Sequence, residues 1–221
     1  MKIDHLVLWC ADYNATSEQL FAETGLASRD GGWFPSEAIG QRIVPLGNGQ
    51  FLEIESKLDD AKFREFAGPV ASFMDDAVRE HPCFLTFWVR TDDIESAAAR
   101  LGVDVWTVRK TMPDGREMYG KTAPPTLDAI AQGLPVFLWL PEDSPHASRM
   151  SVTHRAEPER IAWLELGGTE DRIAEWLGPE WCDLPLRFTG ESPGITALGI
   201  AMRDGSEIVL RPTAGGLCAP A

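Results

Sequence analysis

Gly47-Asn48-Gly49, followed by Gln50-Phe51-Leu52-Glu53-Ile54-Glu55-Ser56, is the stretch on which the reading of the chain turns. Three residues that take positive φ cheaply lie between two β-tolerant runs, Ile39 to Leu46 and Gln50 to Ser56, which predicts a tight hairpin. In the second run, period-two alternation puts Phe51, Glu53 and Glu55 on one face and Leu52 and Ile54 on the other. The two glutamates therefore look together either into a polar cavity or at water.

Toward the N-terminus, Ile3 to Cys10 is apolar and β-tolerant and stops at Ala11-Asp12-Tyr13-Asn14, a cluster of turn and N-cap residue types. A helix follows from Ala15, with Ala15, Leu20 and Phe21 spaced for one face and Gly25 placed for a left-handed C-cap. Beyond Gly31-Gly32 the chain is expected to turn again. Residues 1–57 thus read as one unit: strand, helix, then two or three strands.

Residues 58–82 change character. Asp59, Asp60, Lys62, Arg64 and Glu65 alternate with Phe63, Phe66, Val70, Phe73, Met74 and Val78, which predicts a connector of one or two amphipathic helices broken at Gly68-Pro69. Residues 83–145 repeat the first order: a strand over Cys83–Val89, an Ala-rich helix over Ile94–Leu101 between Thr91-Asp92-Asp93 and Gly102, strands over Val103–Val108 and Arg116–Thr122, a Pro124-Pro125 loop, and a closing strand over Leu134–Leu140. Residues 146–211 give a third, shorter pass. Its strands are Ile161–Leu166, Leu184–Phe188, Ile195–Met202 and Glu207–Leu210, and its helix is Thr169–Leu177, ended by Gly178. The passes share element order rather than sequence. The tail, 212–221, is rich in Gly, Ala and Pro and is expected to be loosely ordered. The fold class is α+β, with tandem βαβββ units whose curved mixed sheets form a cup, two paired and the third completing or repeating the pair.

Asp4-His5-Leu6-Val7, a helix ending in Gly25-Leu26, and Leu46-Gly47-Asn48-Gly49-Gln50-Phe51-Leu52-Glu53-Ile54 resemble the first βαβββ module of the vicinal oxygen chelate superfamily, in its glyoxalase-like branch. The resemblance implies that His5 and Glu53 supply half of a divalent metal site for Zn, Mn, Ni or Fe. In the second pass the matching places fall on Leu85 and within Val136–Trp139, and in the third on Arg160 or Ile161 and on Val209, where ligands are lost. Of the other histidines, His81, His146 and His154, the last lies in the join where the branch often carries a His-Pro run. His154 is therefore the third ligand expected, although Arg155 stands in the proline's place.

With a metal, the resemblance implies a glyoxalase-like lyase or isomerase acting on a small substrate with adjacent oxygens, Glu53 or Glu55 moving a proton as general base. Without one, the same cup would bind or sequester a small molecule. Of eight tryptophans, most are expected in the core, with Trp33 and Trp139 lining a cavity and Gln41 adding an amide contact. A homodimer accords with module pairing between chains in the superfamily.

At 221 residues and 44% apolar, the chain can bury a sizeable core. No apolar run approaches the roughly 20 residues of a membrane span, and the N-terminal residues lack a signal-peptide profile, so a cytoplasmic location is expected. A formal charge of −14 speaks against nucleic acid, and against strongly anionic substrates unless a local basic pocket exists. Cys10, Cys83, Cys182 and Cys218 are scattered without metal or disulfide spacing and read as structural thiols. No phosphate loop follows Gly31-Gly32 or Gly167-Gly168, and no Gly-x-Ser-x-Gly elbow occurs.

Overall fold

The computed structural model describes residues 1–124 and 126–218. Its first unit contains β1 (Lys2–Trp9), α1 (Tyr13–Thr24), β2 (Arg29–Phe34), β3 (Ile39–Gly47) and β4 (Gln50–Lys57). Asp12 caps α1 by accepting from the backbone N–H groups of Asn14 and Ala15 at 2.8 and 3.1 Å, and Gly25 ends it at φ 78°. Gly47, Asn48 and Gly49 turn the β3–β4 hairpin at φ 80°, 46° and 73°. The connector is α2 (Asp60–Ala67) and α3 (Pro69–Ala77), broken at Gly68, whose φ of 54° and ψ of −127° no side chain adopts readily. Phe63, Ala71 and Met74 of the connector pack on Trp9 and Ile39, closing over that end of the first unit.

The second pass contains β5 (Cys83–Arg90), α4 (Ile94–Leu101), β6 (Trp106–Thr111), β7 (Glu117–Ala123), α5 (Leu127–Ala131) and β8 (Val136–Trp139). Helix α5 occupies part of the expected loop and is capped by Thr126, whose hydroxyl accepts from Ala129 N–H at 3.3 Å; Pro125 lies outside the described residues. The β6 strand starts later than expected because Val103 and Val105 pack against the core instead of pairing.

The two passes close one barrel in the order β1-β4-β3-β2-β6-β7-β8-β5. In each pass the first strand runs parallel to the fourth, and the first strands, β1 and β5, join antiparallel from Lys2↔Arg90 to Trp9↔Cys83. The other seam is narrow, with Trp33↔Thr111 the registered pair between β2 and β6. Gly31 and Gly32 lie within β2, and the turn expected beyond them falls at residues 35–38. A Cβ on Gly32, which has φ 87°, would lie 2.0 Å from the Thr111 carbonyl oxygen, so the glycine serves close approach across the seam rather than reversal of the chain.

The third pass, β9 (Pro158–Gly167), α6 (Glu170–Leu177), β10 (Leu186–Phe188), β11 (Gly194–Met202) and β12 (Glu207–Thr213), continues into β13 (Gly216–Cys218). It forms a separate sheet in the order β10-β9-β11-β12-β13. Its first strand pairs with its second and third rather than its fourth, so the element order repeats while the topology does not, and Val209 is not the counterpart of Glu53. Residues 212–218 of the expected loose tail are ordered: β13 pairs with β12, and Glu23 accepts from the backbone N–H groups of Leu217 and Cys218 at 2.9 and 3.0 Å. Residues 219–221 lie outside the described residues.

Leu6, Leu8, Leu52 and Ile54 of the barrel share one apolar cluster with Ile161, Leu164, Leu198 and Ile200 of the second sheet. Gln50 ties the two across this core, donating to Ile3 O at 3.1 Å and accepting from Ile161 N–H at 2.9 Å. With Leu52 and Ile54 committed to that contact, alternation along β4 turns Phe51, Glu53 and Glu55 into the barrel.

Candidate active site

The interior of the barrel holds a small cavity of about 40 Å³, with Asp4, His5, Phe51, Glu53, Trp88, Lys110 and His146 among its walls. Apolar side chains, including Phe34, Val108, Met118, Leu138 and Leu140, make up the rest of its upper lining. Asp4 and His5 are consecutive, yet both reach the cavity. The β1–β5 register shifts between Ile3 and His5, and such a bulge re-aims a side chain.

His5 is stacked between Phe51, at a centroid distance of 4.4 Å, and Trp88, at 5.0 Å. Its Nδ1 lies 2.7 Å from Asp4 Oδ1 and its Nε2 lies 3.3 Å from Glu53 Oε2. A carboxylate against each nitrogen favours the imidazolium form. Burial by itself would lower its pKa, but hydrogen bonding to the Asp4 and Glu53 carboxylates outweighs that and holds it above the ordinary value.

The other oxygen of Glu53 accepts from Lys110 Nζ at 3.2 Å, and the same ammonium donates to Gln41 Oε1 at 2.8 Å. Lys110 is 2% exposed. Burial would raise the Glu53 carboxyl, yet the charge of Lys110 and the contact with His5 bring it below its ordinary value. Glu55, two residues along the same strand face, behaves in the opposite way. Burial and then the Glu53 charge push it well above the carboxylate range. The pair is therefore split by its surroundings, Glu53 ionised and Glu55 carrying a proton.

At the outer side, Asp4 binds the Arg90 guanidinium and accepts from His146 Nε2 at 3.0 Å. His146 Nε2 also lies 2.5 Å from Arg90 Nη2, and its Nδ1 accepts from the Ser148 backbone N–H at 3.3 Å. Burial would raise Asp4, but His146 and His5 hold it far below its ordinary value. Two carboxylates thus face three cationic groups, His5, Lys110 and Arg90, with Glu55 neutral. The excess positive charge suits an oxyanion. Among the described residues, the buried donors Trp88 Nε1 and Gln41 Nε2 have no acceptor.

Of the residues expected from sequence, the structure brings together His5, Glu53, Glu55 and Gln41. His154 is elsewhere: its Nδ1 accepts from the Ala27 N–H at 2.9 Å, between the end of the first helix and the second sheet, and it is not a wall of the cavity. Trp33 is 42% exposed at the narrow seam. Trp139 lies under the Lys121 ammonium, 5.7 Å from its ring centroid, and does not line the cavity either. Sequence reading missed Lys110, Asp4, Trp88 and Arg90. Asp4 stood beside His5 in the same motif, but Lys110 sits in a run of mixed charge and is held inward by Gln41 and Glu53, far away in sequence.

The donor set does not fit a divalent metal. Among the described residues, no group of three or more His, Cys, Asp or Glu side chains is arranged to hold one. His5 has no nitrogen lone pair to offer while both nitrogens donate to carboxylates, and the cationic place beside Glu53 is filled by Lys110. Opposite, the second pass contributes Trp88 and Leu138 to the wall.

A closed barrel of two βαβββ passes, with a His–Glu pair from the first and fourth strands of one pass at its centre, defines a protein of the vicinal oxygen chelate type. A family model described as "glyoxalase-like domain" matches residues 3–182, and the chain belongs to that family. Among solved structures, a hypothetical protein from Staphylococcus aureus matches at 12% identity with a TM-score of 0.65, over 94% of this chain and 98% of that one. At this identity the likeness shows the fold. Methylmalonyl-CoA epimerase from Mycobacterium tuberculosis matches at 15% identity and a TM-score of 0.43, over 62% of this chain and 85% of that one. The comparison with curated proteins gave no match.

Proposed function

We propose that this protein is a lyase or isomerase of the glyoxalase-like kind that moves a proton on a small substrate with adjacent oxygens, using Lys110 where the superfamily's pattern would place a metal. The observation that carries this reading is the buried cluster in which Glu53 lies 3.3 Å from His5 Nε2 and 3.2 Å from Lys110 Nζ, with Glu55 on the same strand face and its carboxyl pushed up by burial and the Glu53 charge.

A substrate oxygen entering the cavity meets Lys110 Nζ and the unpaired donor of Trp88. Hydrogen bonds and charge there stabilise the enolate that forms when a proton leaves the neighbouring carbon. Glu53 takes that proton: the C–H bond breaks, its electron pair passes into the enolate, and an O–H bond forms on the carboxylate. Glu55 shares a hydrogen bond with Glu53 and so lets the pair redistribute protons without solvent. Return of a proton to the adjacent carbon or to the opposite face completes an isomerisation. Expulsion of a β-substituent from the enolate would complete an elimination. Asp4 holds the His5 imidazolium in place, and Phe51 and Trp88 fix its plane.

The cavity is too small to take up a drug-sized molecule whole, which favours chemistry on a substrate's reacting end over sequestration. The test is incubation with a panel of 2-oxo and 2-hydroxycarbonyl compounds in D2O, followed by proton NMR. The expected result is enzyme-dependent loss of a signal at a carbon beside a carbonyl, slowed by about 10²–10⁴-fold in Glu53→Gln. Exchange that survives in Glu53→Gln would sink the assignment of the base.

A further inference from the structure

Beyond the cavity, His146 also forms part of the wall of a second, outer depression of about 410 Å³, whose other walls include Arg29, Met112, Arg116, Arg149 and Met150. The two spaces share a wall at His146. Lys110 of β6 and Met118 of β7 face the cavity, and Met112 and Arg116, just beyond the ends of those strands, wall the depression. The basin thus adjoins the site.

Its charge runs against the molecule's. In a chain of net charge −14, three guanidinium groups converge on one concavity, and the carboxylate facing them is that of Asp114, which binds Arg116 Nε at 2.7 Å. Arg29 and Arg149 are exposed and have no side-chain hydrogen bond or ion pair among the described residues. Forked donors without acceptors, held on a strand and on the turn that carries His146, suit bidentate recognition of an oxyanion.

We infer that the basin of Arg29, Arg116 and Arg149 binds an anionic tail, a phosphoryl or carboxylate group, of the substrate whose reacting end passes His146 to reach Lys110 and Glu53. The inference rests on the proposed function for the identity of that reacting end, but anion binding in the basin can be read without turnover. The acidic surface elsewhere repels anions, so the basin works as a local funnel, and its attraction weakens with salt.

The experiment titrates the full chain, ¹⁵N-labelled, with inorganic phosphate and separately with propionate, reading guanidinium Nε–H signals. Saturable shifts are expected for at least one anion. The Arg29→Gln/Arg149→Gln variant is expected to bind about tenfold more weakly or worse, since two charge-assisted contacts are lost. Tighter binding of phosphate assigns a phosphorylated substrate, and tighter binding of propionate a carboxylated one. Equal affinity in the double variant and the parent, or no saturation with either anion, overturns the inference. Failure of deuterium exchange alongside intact, arginine-dependent anion binding would instead count against the proposed reaction and leave the basin standing.

Discussion

Lys110 is the residue on which both stability and chemistry converge. Its ammonium and the Glu53 carboxylate are each nearly sealed from water, so neither can fall back on solvent when the other is removed. Lys110→Met should destabilise the fold by about 3–5 kcal/mol, and Lys110→Met/Glu53→Gln should recover a large part of that loss. Urea denaturation of the single and double variants measures both, and equal losses in the two would show that the pair is not coupled. Glu55 makes a prediction of different sign. A carboxyl whose folded pKa is raised contributes stability that is present below its unfolded pKa and lost as pH rises through the folded value. His5, also raised, acts in the same direction above its unfolded value of 6.5. Asp4 and Glu53 are lowered, so their contribution is lost on acidification. The denaturation midpoint should therefore fall as pH rises above the ordinary carboxylate pKa, and Glu55→Gln should flatten that fall. An unchanged slope would mean that Glu55 is ionised in the folded protein.

Among the elements, the β3–β4 hairpin shows how far sequence reaches. Gly47-Asn48-Gly49 announced a turn and alternation put the two glutamates on one face, because both follow from local backbone sterics and a period of two. What Gly47 adds was not local. A Cβ at Gly47 would sit 2.2 Å from the Glu159 carbonyl oxygen, at the start of β9, whereas one at Gly49 would meet nothing within 4 Å. Both glycines have positive φ, so Gly49→Ala should cost about 1–2 kcal/mol from backbone strain alone. Gly47→Ala should cost clearly more, because the second sheet must also shift. Thermal melts of the two variants test the ordering. The inward-facing Lys110 was hidden for the same reason as the role of Gly47. Its strand carries no alternation that marks a buried face, and its position is fixed by partners more than fifty residues away. His154 misled because a likeness in the join between passes says which histidine is near in sequence, not which strand end it meets. The structure puts His146, not His154, at the mouth of the cavity.

In the whole molecule, barrel and second sheet share one core instead of two. Leu6, Leu52 and Ile54 are buried against Ile161, Leu164 and Leu198, and the Gln50 amide is satisfied only when both parts are in place. Heat or denaturant should accordingly unfold the chain in one transition, with tryptophan fluorescence and far-ultraviolet dichroism coincident. Two separated transitions would contradict a shared core. That core also explains the rigidity of β4, whose apolar face is held by the second sheet while its other face presents Glu53 and Glu55. Metal-independent proton transfer is the claim that joins fold to function, and deuterium exchange in the presence of excess chelator tests it most directly. Exchange should continue unchanged in the parent, be lost in Lys110→Met, and not return when Zn, Mn, Ni or Fe is added to that variant. Exchange abolished by chelation and restored by a stoichiometric divalent ion would contradict the account.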